Sequence, residues 1–277
     1  MLTNQALVEL ALARCLPHWS GEFAIALHYF QESSPWRSAP RDRGWLEFQI
    51  WKEWFGSGVY GPRGVTVADI LKDAMLKVQI PTGEHGSALL EEACSALDFG
   101  KDEFAHFTLL FDLWRRSFPG VRADVPSWGA LPAGQALAEL RYRRREEALG
   151  EIAVRLSEGG GLGLFFGIQH ALSGSVEPFD QGLKRVVLRI LEDERHHLTG
   201  NFVWASGRLD SLADVLRVVE ILDEICAAKL REREEQFGIP LLEAGIPGGA
   251  ADLYRDRYLA PMREEIMGQL SPPGGPR

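Results

Sequence analysis

Apolar residues recur at three- and four-residue intervals along most of the 277-residue chain, and stretches alternating apolar with polar are nearly absent. That period predicts an all-α fold, with helices near 4–15, 19–32, 43–55, 66–79, 86–117, 134–173, 180–206, 209–236 and 250–268. Prolines and glycines interrupt it at Gly56–Gly64, Pro81–Gly83, Pro119–Pro132, Ser173–Pro178 and Gly238–Gly249. The polar stretch 35–44 does not divide the chain into halves of different composition. The economical expectation is one helical di-metal domain over 1–268, followed by a Pro/Gly-rich disordered tail over 269–277.

Charge narrows the function classes. A formal net charge of −9 argues against a general nucleic-acid binder, which needs clustered positive charge. The run Arg141-Tyr142-Arg143-Arg144-Arg145 leads into Glu146 and Glu147, so it reads as a solvated helix face. Cys15, Cys94 and Cys226 are isolated, odd in number and form no Cys-x-x-Cys. Neither a disulfide framework nor a thiolate zinc site is therefore expected. They read as small core residues in a reducing cytoplasm. No basic leader and no long apolar run suggests a signal peptide or a membrane span.

Two segments carry the chemistry: Asp102-Glu103-Phe104-Ala105-His106 and Asp193-Glu194-Arg195-His196-His197. Residues three apart on a helix share a face about one turn apart, so Glu103 with His106, and Glu194 with His197, can each grip one ion. Both glutamates fall mid-stripe on apolar faces. Glu103 lies among Phe99, Phe107, Leu110 and Trp114, and Glu194 among Val187, Ile190, Leu198 and Ala205. Carboxylates are rarely buried unless paired or bound to a cation. Oxygen and imidazole donors suit iron or manganese better than a soft metal.

Glu158 shares a stripe with Val154, Leu162 and Phe165, and a hairpin through Ser173–Pro178 would bring it beside Glu194. Glu151, two turns earlier, is a weaker candidate on that stripe. The glycines after Glu158 are expected to leave room beside the metals for dioxygen or substrate. From the first helices Glu22, among Trp19, Ile25, Ala26 and Tyr29, is the choice, with Glu47 as runner-up. Asp69 and Asp73 fall off the apolar stripe and read as solvated. His196 points away from its stripe, and the aromatic cluster over 45–55 reads as core rather than a substrate cage.

On these motifs the chain resembles the ferritin-like di-iron carboxylate proteins, whose pattern is one carboxylate from each of two helices and Glu-x-x-His from each of two others. The resemblance implies a four-helix bundle core with additional helices. It implies the ligand set Glu22, Glu103, His106, Glu158, Glu194 and His197, with Asp193 and Asp102 orienting the histidines. The chain also looks similar to the haem-oxygenase-like di-iron oxidases. Glu103, His106 and Glu158 match that pattern, and Asp193 with His197 matches its Asp-x-x-x-His, which would make Asp193 a ligand.

Either resemblance implies two iron ions, with manganese or a mixed pair as the alternatives. The expected activity is oxygen-dependent oxidation, hydroxylation or N-oxygenation of a small molecule, fed by an electron donor or reductase. A homodimer, with no nucleic-acid or membrane partner, completes the expectation. A non-catalytic iron-binding protein and a helical scaffold with a relic motif are the alternatives.

Overall fold

The computed structural model describes residues 2–56, 85–129, 131–241 and 249–270, with side chains apart from Leu2 and 55–99. The helix expected near 66–79, with Asp69 and Asp73, lies outside the described residues. So does the tail from 271. The described chain is all-α, with no strand. Its α-helices are α1 Leu2–Phe30, α2 Ala39–Trp51, α3 His85–Ser117, α4 Pro132–Arg145, α5 Gly150–Leu156, α6 Gly159–Ala171, α7 Pro178–Ser206, α8 Leu212–Phe237, α9 Gly249–Tyr254 and α10 Ala260–Leu270. Two π-helical segments, Lys52–Gly56 and Arg255–Leu259, continue α2 and α9. No helix among the described residues is long and apolar enough to cross a membrane.

The chain forms two compact units, one of Met1–Arg41 with Ala130–Arg277 and one of Asp42–Gly129. In the first, the C-terminal half of α1 is buried on almost every face, through Trp19, Phe23, Ile25, Ala26 and Tyr29, while its first half buries Leu7, Val8 and Cys15 and leaves Leu10, Ala13, Arg14 and Pro17 exposed. A helix segment apolar on nearly every side belongs in the middle of a core, and the 19–30 half of α1 is such a segment. The helix packs chiefly on α6 and α8. Its pairing with α8 keeps one offset: Cys15 meets Cys226 and Glu22 meets Arg233, 211 residues apart in each case, so the two helices run in the same direction.

Three expectations need correction here. The break anticipated between 15 and 19 is absent, because Pro17 lies inside α1, where burial of the turns on both sides outweighs the lost hydrogen bond. The helix expected over 134–173 is three helices. Leu149 takes φ 65, and a side chain at Gly150 would meet the Arg144 carbonyl oxygen at 1.6 Å. A second break falls at Ser157–Glu158, where buried Lys229 donates to the Ser157 carbonyl at 3.2 Å.

The third correction concerns the glycines. Gly159, Gly163 and Gly167 fall every fourth residue along α6. A Cβ on Gly163 would lie 2.4 Å from the Trp19 carbonyl oxygen, and one on Gly167 2.5 Å from that of Phe23. At Gly163 and Gly167 the place of the missing side chain is taken by α1 itself, backbone against backbone, and at Gly159 by the Trp19 ring, so these three leave no room for a substrate.

Candidate metal centre

The second unit holds a fully buried set of metal-capable donors. On α3, Glu103, His106, Leu110, Leu113 and Trp114 form the buried stripe, while Phe104 on the opposite face is exposed. That is the amphipathic pattern with a carboxylate and an imidazole set into its apolar side. Facing them is the π-helix Lys52–Gly56, which presents Glu53. Single π-turns insert one residue into a helix and recur at functional sites, because they re-aim the side chains around them.

Glu53, Glu103 and His106 are all buried, and each brings one ligand atom to within 4.8 Å of the others. His106 Nδ1 stands 3.7 Å from Glu53 Oε2. One turn back, Gln49 donates from Nε2 to Glu53 Oε1 at 2.6 Å and fixes the carboxylate. Burial pushes the Glu53 carboxyl up, but the hydrogen bond and charge of His106, then Gln49 and Lys52, outweigh it. The group is held below the ordinary carboxylate value. Two carboxylates and one imidazole, gathered in a buried place, make a donor set of the kind that holds a metal cation. Two oxygens and one nitrogen fit iron or manganese.

Aromatic rings run along the same two elements. Trp54 lies against Phe107 with centroids 4.8 Å apart, Phe107 stacks on Phe111 at 5.6 Å, and Phe111 on Trp114 at 5.9 Å. Trp45 and Phe48 are buried, as a core role for the 45–55 cluster requires.

The other sequence candidates are placed as follows. Glu22 is wholly buried in the first unit, where Arg233 Nε donates to its Oε2 at 3.1 Å. Glu158 accepts from Arg141 at 3.2 Å. Glu151 pairs with Arg145 and Arg155 and is half-exposed. Glu47 accepts from Trp114 Nε1 at 3.1 Å and faces Arg43 at 3.5 Å. Asp193 is buried on α7 with Arg189 at 3.3 Å, while Glu194 and His197 are half-buried there and His196 is exposed. Asp102 is half-buried on α3. Of all these, Glu103 and His106 join the donor trio of the second unit. The structure therefore puts Arg233, rather than a second carboxylate, against Glu22.

Sequence reasoning passed over Glu53. The signal was present, because Glu53 continues the stripe of Trp45, Leu46, Gln49 and Ile50, and the mid-stripe test that picked Glu103 selects it too. The Arg141–Arg145 run, read as a solvated face, is exposed at Tyr142, Arg143 and Arg145, while Arg141 and Arg144 are partly covered. Arg141, Arg144 and Arg145 are each matched to a glutamate. Compared with known protein families, curated proteins and solved structures, the chain finds no match in any of the three.

Proposed function

We propose that this protein binds iron at Glu53, Glu103 and His106 and uses it in oxygen-dependent oxidation or hydroxylation of a small organic molecule. The observation that carries the reading is the buried trio itself, with its donor atoms within 4.8 Å of one another. The bound metal would supply the one-electron chemistry that lets dioxygen react with an organic substrate. The protein's own part is positioning. Glu103 and His106 come from one helix turn, and Gln49 holds Glu53 in place.

A second ion at Glu194 and His197 is proposed on the sequence pattern alone, as the ferritin-like resemblance implies. With Glu53 as the first-helix carboxylate, the resemblance no longer needs Glu22.

The test is anaerobic loading with ferrous iron, a count of bound iron, then exposure to oxygen with optical monitoring. Iron uptake that falls sharply in Glu53→Ala and His106→Ala, with an oxygen-dependent spectral change in the parent, is expected. Near-zero uptake by the parent, or uptake indifferent to both substitutions, would refute the site. Repeated cycling with an added reductant marks an oxidase. A single oxidation with ferric iron retained marks storage and overturns the catalytic half of the reading.

A further inference from the structure

The donor trio of the second unit is sealed. Glu53, Glu103 and His106 are 7%, 5% and 0% exposed, so an electron carrier in solution cannot touch an ion held there. Oxygen-dependent oxidation consumes electrons, and these have to cross the protein. A phenyl ring is too hard to oxidise to carry them, whereas an indole is not. The same unit, Asp42–Gly129, holds two indoles in contact, one in its core and one at its surface.

Trp114 is the buried one, on the stripe of α3 that also carries Glu103 and His106. At about 1.5 Å of rise per residue it stands about 12 Å along the helix axis from His106. Its ring packs on that of Trp128, with centroids 5.0 Å apart and planes tilted by 48°. Trp128 ends the 3₁₀ turn Val125–Trp128 and is partly exposed. Phe111 at 5.9 Å and Phe118 at 6.4 Å also pack against Trp114. Its indole N–H donates to a carboxylate, Oε1 of Glu47 on α2, at 3.1 Å, and Arg43 faces the same oxygen at 3.5 Å. That partner matters because an indole that loses an electron becomes a strong acid at nitrogen. An acceptor already within hydrogen-bond reach takes the proton without rearrangement.

We propose that Trp114 is a one-electron relay between the surface at Trp128 and the donor trio, with Glu47 as its proton acceptor. The iron reading supplies the destination of the electron; the relay chemistry belongs to the chain itself. One electron leaves the Trp114 indole for an oxidant, here oxidised iron. The Nε1–H bond breaks and the proton joins Glu47 Oε1, leaving a neutral indolyl radical beside a neutral carboxylic acid. An external one-electron donor then returns an electron by way of Trp128, and the proton goes back to Nε1. Both residues are restored, and one electron has moved inward.

The test is flash oxidation of the metal-free full chain by a ruthenium tris-bipyridyl complex attached through Ser127→Cys, an exposed position next to Trp128. A Cys94→Ser background, with Cys15 and Cys226 buried, directs the label to that one thiol. Transient absorption then reads the species formed, because a neutral indolyl radical absorbs to the blue of the radical cation. The neutral radical is expected in the parent. Trp114→Phe should lose it, the hole staying on Trp128 as the cation. Glu47→Gln keeps an oxygen for the indole N–H but offers no base, so the cation band should replace the neutral one. A merely structural role for Glu47 would not move that band. Identical transients in the parent and Trp114→Phe, or a neutral radical undiminished in Glu47→Gln, would overturn the proposal. In the iron-loaded chain, Trp114→Phe should slow reduction of ferric iron by a soluble one-electron donor while bound iron stays the same. Radical transfer without iron uptake would refute the metal site and leave the relay standing. Iron uptake without radical transfer would refute the relay alone.

Discussion

Arg233 donates from Nε to Oε2 of Glu22 across 3.1 Å, and both side chains are at most 2% exposed. The pair sits between α1 and α8, opposite Gly160, where any side chain would run into Glu22 Oε1. A buried charge pair of this kind is costly to break, because removing one partner strands the other away from water.

Glu22→Ala should therefore destabilise the fold by about 3–5 kcal/mol. Replacing both partners with apolar residues, Glu22→Leu with Arg233→Met, should recover most of that loss. Denaturant unfolding of the single and double variants measures it. Iron uptake by the double variant should match the parent, and a double variant no more stable than the single would argue against the ion pair as the cause.

Along α6, Gly163→Ala and Gly167→Ala should each destabilise the protein by more than about 1 kcal/mol, the low end of overpacking costs, since the new methyl meets a backbone carbonyl that cannot yield. Gly200→Ala, in the middle of α7 with nothing within 4 Å of the new Cβ, should do the opposite. A gain of about 0.5–1 kcal/mol is expected from helix propensity. Thermal melts of the three variants decide it, and equal effects at 163 and 200 would be inconsistent with close approach of α6 and α1.

At the candidate metal centre, Gln49→Leu removes the donor that fixes Glu53 without touching a ligand atom. Iron affinity should drop by about ten- to a hundredfold, as for other outer partners. Glu47→Gln, whose side chain meets Trp114 and Arg43 instead, should leave iron binding as it was. Competition against a ferrous chelator reads both, and the reverse ranking would make Glu47 the ligand.

Burial first, then the neighbouring Cys226 sulfur, raises the Cys15 thiol well above its usual value. The metal-free native protein should accordingly resist thiol-specific reagents at Cys15 and react there once unfolded. The folded state holds the proton more tightly than the unfolded one. Its contribution to stability is thus complete below the unfolded thiol's pKa and is lost as pH rises from there toward the folded value. Stability of Cys15→Ala should fall less steeply than that of the parent across this alkaline window.

Much of this protein is legible from residue order alone. The three- and four-residue period gives the all-α class, and the ends of α8 follow from local chemistry. Ser211 and Asp214 form a reciprocal cap, and Gly238 takes the left-handed turn at the other end. The pairing of Glu103 with His106 on a buried stripe is equally local, since both lie on one helix turn.

What the sequence could not decide is which cation answers each buried carboxylate. Periodicity says that Glu22, Glu53 and Glu103 face inward; it is silent on whether an arginine, a histidine or a metal waits there. Arg233 reaches Glu22 only because α1 and α8 pack in parallel, and Glu53 stands beside His106 only because the segment 52–56 packs against α3. Likewise the glycines of α6 advertise missing side chains, but only the packing shows them occupied by the backbone of α1. Burial is written along one helix; the partner that makes a buried charge tolerable comes from another, and its choice belongs to the tertiary structure.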